Sequence, residues 1–298
     1  MARSRFLPDH GLTSRMVVVM FLLGLLYVAA IGALIAFTDI GWVAILVIAG
    51  LVFAAQWFFS DKIALTAMRA REVSPDEAPE LHGVIDRLCA LADMPKPRVA
   101  IAQTELPNAF ATGRNQKRAV VCVTTGLLER LDERELEGVL AHELSHVAHR
   151  DVAVMTIASF LGVIAGLVAR YGLYLRFGRD NRAAAVALAI WLGSLVVYAI
   201  SFLLLRLLSR YRELAADRAG AFLTLKPAAL ATALQKISGE IAAIPQRDLR
   251  ANNAMNAFFI APAVSGASLR TLTATHPSLE QRLEQLARIQ AELSRPAG

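Results

Sequence analysis

Cysteine is rare in this 298-residue chain, and charge is sparse. Only Cys89 and Cys122 are present. Neither has a second cysteine at the short spacing of a metal-binding pair, and both fall in segments assigned below to the cytoplasmic side. They read as reduced, partly buried thiols. Charged residues make up 19% of the chain and apolar residues 56%, against about 25% and about 45–50% in soluble domains. No block of Lys and Arg interleaved with aromatics occurs, so the net charge of +6 does not point to nucleic acid. The basic residues lie mainly beside apolar runs, as membrane-flanking charges do.

The apolar excess is concentrated in four runs, 16–37, 42–59, 152–175 and 184–208. Each is long enough to cross a hydrocarbon core of about 30 Å as helix. Arg3, Arg5 and Arg15 before the first run mimic a signal peptide. That run is longer than a signal core, and a second follows after only Thr38 to Gly41, so a membrane hairpin is predicted. The organisation expected is a hairpin over 1–60, a cytoplasmic α+β part over 61–151, a second hairpin over 152–208 and a C-terminal cytoplasmic helical part over 209–298. Lys62, Arg69, Arg71, Arg150, Arg210 and Arg212 join the three N-terminal arginines on one side, while Thr38–Gly41 carries no basic residue. The positive-inside rule makes that side the cytoplasm. Arg170, Arg176, Arg179 and Arg182 run against it. Either the far turn of the second hairpin crosses with its charge, or both runs dip in without spanning; crossing is the reading adopted.

Between the hairpins the pattern is α+β. Residues 74–92 show helical periodicity, with Leu81, Val84, Ile85 and Leu88 on one face. The β-rich runs Arg98–Ala102, Asn108–Gly113 and Ala119–Thr124 suggest a small meander. Helices are expected over 131–150, from 208 on to about 224, and over 227–243, with an irregular stretch over 246–272. A last helix starts at Ser278, capped with Gln281. Phe258-Phe259-Ile260 reads as a satellite core contact, with lipid contact or a flap as the alternative.

His142-Glu143-Leu144-Ser145-His146 has the H-E-x-x-H form. Residues four apart lie on one helical face, so both imidazoles reach a single ion at about 2.0–2.1 Å. Glu143, one residue along, flanks the metal without ligating it and can take a proton from bound water. Leu136, Val139, Leu140 and Val147 supply the apolar stripe of a buried helix.

Catalytic zinc takes three protein ligands and leaves one position open. His149 lies two turns beyond His142, about 10 Å along the axis, too far to share the ion. Asp151 points to another face and caps or braces. Glu213 is the third candidate, and Asp217, four residues on, can accept a hydrogen bond from a ligand imidazole. Judged alone, that pair equally describes a solvated helix face.

These motifs, with Glu213 and Asp217 in Arg-Glu-x-x-Ala-Asp, resemble the HtpX family of bacterial membrane metallopeptidases, relatives of the endopeptidases that process prenylated CAAX proteins. The resemblance covers nearly the whole chain. It implies four membrane helices with a gluzincin-like domain, one zinc ion held by His142, His146 and Glu213, and Asp217 behind a ligand. Asn108-Ala109-Phe110-Ala111 resembles the family's strand beside the cleft, which implies that Asn108, Ala109 and Phe110 contact substrate. Thr275-His276-Pro277 with Arg282 resembles its C-terminal motif, which implies that His276 and Arg282 stabilise the oxyanion. Alone, His276 would read as an ordinary loop histidine.

His142 lies ten residues before the third run and Glu213 five after the fourth, about 15 Å and about 8 Å as helix. The metal is therefore expected just under the membrane surface. There an extended peptide could add to the strand at Asn108–Gly113. The expected activity is zinc-assisted hydrolysis of membrane proteins or peptides at the cytoplasmic face of the bacterial inner membrane, and the resemblance implies a role in quality control under stress. Maturation of a lipidated or peptide substrate is the rival within the class. A non-catalytic zinc-stabilised scaffold is the rival outside it, and it leaves Glu143 without use.

Overall fold

The computed structural model describes residues 9–37, 41–158, 164–165, 181–243 and 277–295. Among them, three helices are long and apolar enough to cross a membrane: α1 (His10–Phe37, 28 residues), α2 (Trp42–Ala67, 26 residues) and α6 (Asn181–Thr224, 44 residues). At about 1.5 Å per residue, each exceeds the hydrocarbon thickness. Phe21, Leu51 and Leu203 are 64%, 65% and 58% exposed, tolerable when lipid covers them. The expected spans 16–37, 42–59 and 184–208 fall within these helices. The fourth, 152–175, lies largely outside the described residues, although 151–158 are helical.

The chain divides into two units. One comprises Gly11–Ser60 and Val154–Leu208; the other comprises Met1–His10, Asp61–Ala153 and Ser209–Gly298. In the first, the Tyr27 hydroxyl donates to the Ile157 carbonyl at 3.2 Å and Gln56 Nε2 to that of Thr156 at 2.8 Å. Polar side chains in apolar helices thus find backbone acceptors.

The second unit holds a four-stranded mixed sheet, and here the expected meander is corrected. Its strands are β1 (Ala70–Glu72), β2 (Arg98–Ala102), β3 (Ala109–Thr112) and β4 (Val120–Thr124), in the order β1-β2-β4-β3. A meander would place β3 between its neighbours. Instead β2 and β4 run parallel and β3 pairs antiparallel with β4 as the edge strand. The connection after β2 is held across the end of β4. Thr124 Oγ1 accepts from Asn108 N at 2.9 Å, and Thr125 Oγ1 donates to Thr104 O at 3.0 Å. Gly126 permits this, because a Cβ there would lie 2.1 Å from Glu105 O. These ties lie outside any strand period, so periodicity gave no sign of them.

Strand alternation then builds two cores. Val99, Ala109, Ala111, Val121 and Val123 face the larger one, with Leu81, Val84, Ile85 and Leu88 of α3 (Pro79–Ala92) and Val139, Leu140 and Leu144 of α5 (Glu133–His149). Phe110, Val120 and Cys122 face a smaller one with Ala64 and Leu65 of α2. The expected helix over 131–150 is α5; a short helix not expected from the sequence, α4 (Thr125–Arg130), precedes it, and Asp132 and Glu135 form a capping box that starts α5 afresh. Helix α7 (Pro227–Ala243) packs between α5 and α8 (Leu279–Leu293), and Ser278 caps α8 with Gln281 as anticipated. The stretch 246–272, with Phe258-Phe259-Ile260, lies outside the described residues.

Candidate metal centre

Helix α5 is apolar on the face that meets α3 and the sheet, so His142, Glu143 and His146 are buried. Helix α6 meets it backbone to backbone at Gly220, where a Cβ would stand 3.0 Å from His142 N. That approach sets Glu213 and Asp217 opposite the two imidazoles. His142 Nε2 and His146 Nε2 are 3.2 Å apart. Glu213 Oε2 lies 3.4 Å from His142 Nε2, and Glu213 Oε1 lies 3.6 Å from His146 Nε2. Among the described residues, these three form the group able to hold a metal ion. Four-coordinate zinc with bonds of about 2.0–2.1 Å spaces its ligand atoms about 3.3–3.4 Å apart. The observed separations fit that shell, and the nitrogen and carboxylate donors suit zinc.

The outer nitrogen of each imidazole is bound to a carboxylate. His142 Nδ1 donates to Asp217 Oδ1 at 2.8 Å, and His146 Nδ1 donates to Asp151 Oδ2 at 2.8 Å. Such bonds fix the tautomer and leave both Nε2 atoms for the metal. An arginine stands behind each carboxylate. Arg282 Nε and Nη2 donate to Asp217 at 2.7 and 2.6 Å, while Arg212 Nε lies 3.6 Å from Asp151 Oδ2. Arg212 Nη2 is also 3.3 Å from Glu213 Oε1. Four carboxylates (Glu143, Asp151, Glu213, Asp217) and two guanidiniums therefore share the centre. With neutral imidazoles, the unbalanced charge equals that of one divalent ion.

Burial works against a charged His142, but hydrogen bonds to Asp217 and Glu213 outweigh it and raise its pKa to about 9. Burial is also the main cause that raises the Glu143 carboxyl, with Glu213 adding to it against the two histidines. A raised carboxylate is a stronger base, as proton abstraction from water requires.

The other expected residues fall as follows. His149 is outside the metal group, its Nδ1 2.9 Å from Ser145 O. Asn108 is buried beside β3, which carries Ala109 and Phe110 along the sheet edge. Arg282 was expected beside His276 at the oxyanion; the structure instead engages it with Asp217 and leaves it 2% exposed. His276 lies outside the described residues. Cys89 and Cys122 are free and buried, and burial pushes their thiols up to about 11 and about 12.

Sequence reasoning left two contributors without their partners. Asp151 was expected on another face, to cap or brace; it does brace, and its partner is His146, because Arg150 ends α5 with a left-handed residue (φ 58°) that turns the chain back. No spacing rule announces that turn. Arg212 read only as a membrane-flanking charge, although its place directly before Glu213 was a usable signal.

The description Peptidase family M48 matches residues 75–290. Protease HtpX homolog 1 of Streptomyces coelicolor is 62% identical, over 98% of this chain and 97% of the relative. Protease HtpX homolog 2 of Methanosarcina mazei is 52% identical, over 96% of this chain and 98% of its own length. Among solved structures, the crystal structure of S. mikatae Ste24p superposes with a TM-score of 0.53 at 17% identity. It covers 93% of this chain and 66% of that one, and shows likeness of fold.

Proposed function

The chain belongs to peptidase family M48 as a membrane metallopeptidase of the HtpX kind, and on that premise we propose that it uses one zinc ion to hydrolyse membrane proteins at the cytoplasmic face. The carrying observation is the spacing of His142 Nε2, His146 Nε2 and Glu213, 3.2–3.6 Å, with a carboxylate on each outer imidazole nitrogen. When bound, zinc polarises the scissile carbonyl and acidifies a water molecule. Glu143 accepts the proton of that water as its oxygen bonds to the carbonyl carbon. Glu143 then returns the proton to the amide nitrogen, which leaves as an amine when the C–N bond breaks. The edge strand β3, with Ala109 and Phe110 and with Asn108 just before it, receives the extended substrate main chain. Arg282 holds Asp217, and His276, by its sequence motif, donates to the oxyanion.

The cytoplasmic placement in a bacterial inner membrane rests on the distribution of Lys and Arg. Closeness to the bilayer rests on the sequence interval, since Glu213 follows the apolar run 184–208 by five residues, about 8 Å as helix. A site there suits membrane-protein tails and loops, and we assign the enzyme to membrane-protein quality control. The test uses Glu143→Gln in cells and in detergent. It should keep zinc, lose proteolysis and trap many unrelated membrane proteins. A single trapped substrate would favour a maturation peptidase, and retained proteolysis would remove Glu143 from the mechanism.

A further inference from the structure

We propose that Arg212 is a positioning residue of the metal centre, the fork that holds Asp151 and Glu213 in place for the ion. The inference rests on the zinc reading above. Arg212 precedes Glu213 on α6, yet its guanidinium reaches a carboxylate brought by the end of α5. Nη2 lies 3.3 Å from Glu213 Oε1 and Nε 3.6 Å from Asp151 Oδ2. Its side chain is 12% exposed, and both carboxylates are about 2% exposed.

Each contact bears on a different part of the shell. Asp151 Oδ2 is the atom that accepts from His146 Nδ1, so a cation beside it steadies the imidazole that presents Nε2. Glu213 Oε1 is the oxygen nearer His146, while Oε2 faces His142. A guanidinium on Oε1 therefore selects the carboxylate rotamer that turns Oε2 toward His142 Nε2. Without that charge, two buried carboxylates from separate helices would repel each other across the ligand set. Both contacts are ion pairs, at 3.3 and 3.6 Å; a delocalised, weakly hydrated guanidinium spans the two carboxylates from one buried position, whereas a compact, strongly hydrated ammonium suits it less. The arrangement repeats on the other imidazole, where Arg282 grips Asp217 behind His142.

The experiment compares the purified full chain with Arg212→Met, Arg212→Lys and Arg218→Met. Zinc affinity is read by chelator competition, the cobalt-substituted centre by its visible absorption, and the metal-free fold by melting temperature. Arg218 is exposed on the same helix, over the Phe222 ring, so its variant matches the charge lost. Arg212→Met should weaken zinc binding about 10–100-fold and change the cobalt spectrum. Arg212→Lys, which keeps the charge, should fold normally and recover only part of the affinity. Arg218→Met should stay within twofold of the parent. If the parent binds zinc and either folded Arg212 variant matches its affinity and spectrum, the inference is overturned while the peptidase reading stands. If Arg212→Met does not fold, Arg212→Lys decides alone. A parent chain that binds no zinc overturns both.

Discussion

At the metal centre, the two imidazoles are held by carboxylates that are themselves held differently. Asp217 sits in a two-point grip from Arg282, whereas Asp151 faces Arg212 at 3.6 Å. This asymmetry separates two substitutions. Asp151→Asn should cost about 10–100-fold in zinc affinity and little in stability. Asp217→Asn should cost zinc affinity too, and should also lower stability by about 3–5 kcal/mol, because it leaves a buried guanidinium without its counter-charge. Chelator competition and thermal melting on the same preparations would check both. Equal melting temperatures for the two variants would contradict the assignment. The pair His142 and His146 was legible because a helix fixes what lies four residues apart. Glu213 and Asp217 were legible as a pair for the same reason, but their meeting with the histidines was not. The pairing of Asp151 with His146 was hidden because one left-handed residue, Arg150, redirects the chain.

Between elements, the centre depends on how closely α6 approaches α5. Gly220 allows it, since a Cβ would stand 3.0 Å from His142 N and 3.2 Å from Ala141 C. Backbone atoms yield less readily than side-chain ends, so Gly220→Val should move α6 away and widen the gap between Glu213 and the imidazoles. Zinc retention should fall about tenfold or more while helical content by circular dichroism stays close to the parent. Unchanged zinc affinity would show that this crossing does not set the site. Helix existence was the most readable feature, from the cap at Ser278 to the apolar faces of α3 and α5. Strand order was the least readable. The ties of Thr104, Asn108, Thr124 and Thr125 that send β3 beyond β4 are made by polar side chains across a loop. Hydrophobic alternation is the same for a meander and for this sheet.

For the whole molecule, apolar helices and a metal centre on segments 70 residues apart make one prediction about sidedness. A cysteine placed at Asp39 should react with a membrane-impermeant thiol reagent in intact cells, and one placed at the exposed Lys117 should react only after lysis. Cys89 and Cys122 give little background, because both are buried and their thiolates form only near pH 11–12. Labelling at Lys117 and not at Asp39 would invert the topology. The central claim is that distant segments assemble one zinc site from His142, His146 and Glu213, and the zinc content of purified protein by elemental mass spectrometry tests it most directly. One zinc per chain should be found in the parent and in His149→Ala, and nearly none in Glu213→Ala. A Glu213→Ala protein that keeps its zinc, with a His149→Ala protein that loses it, would contradict the account.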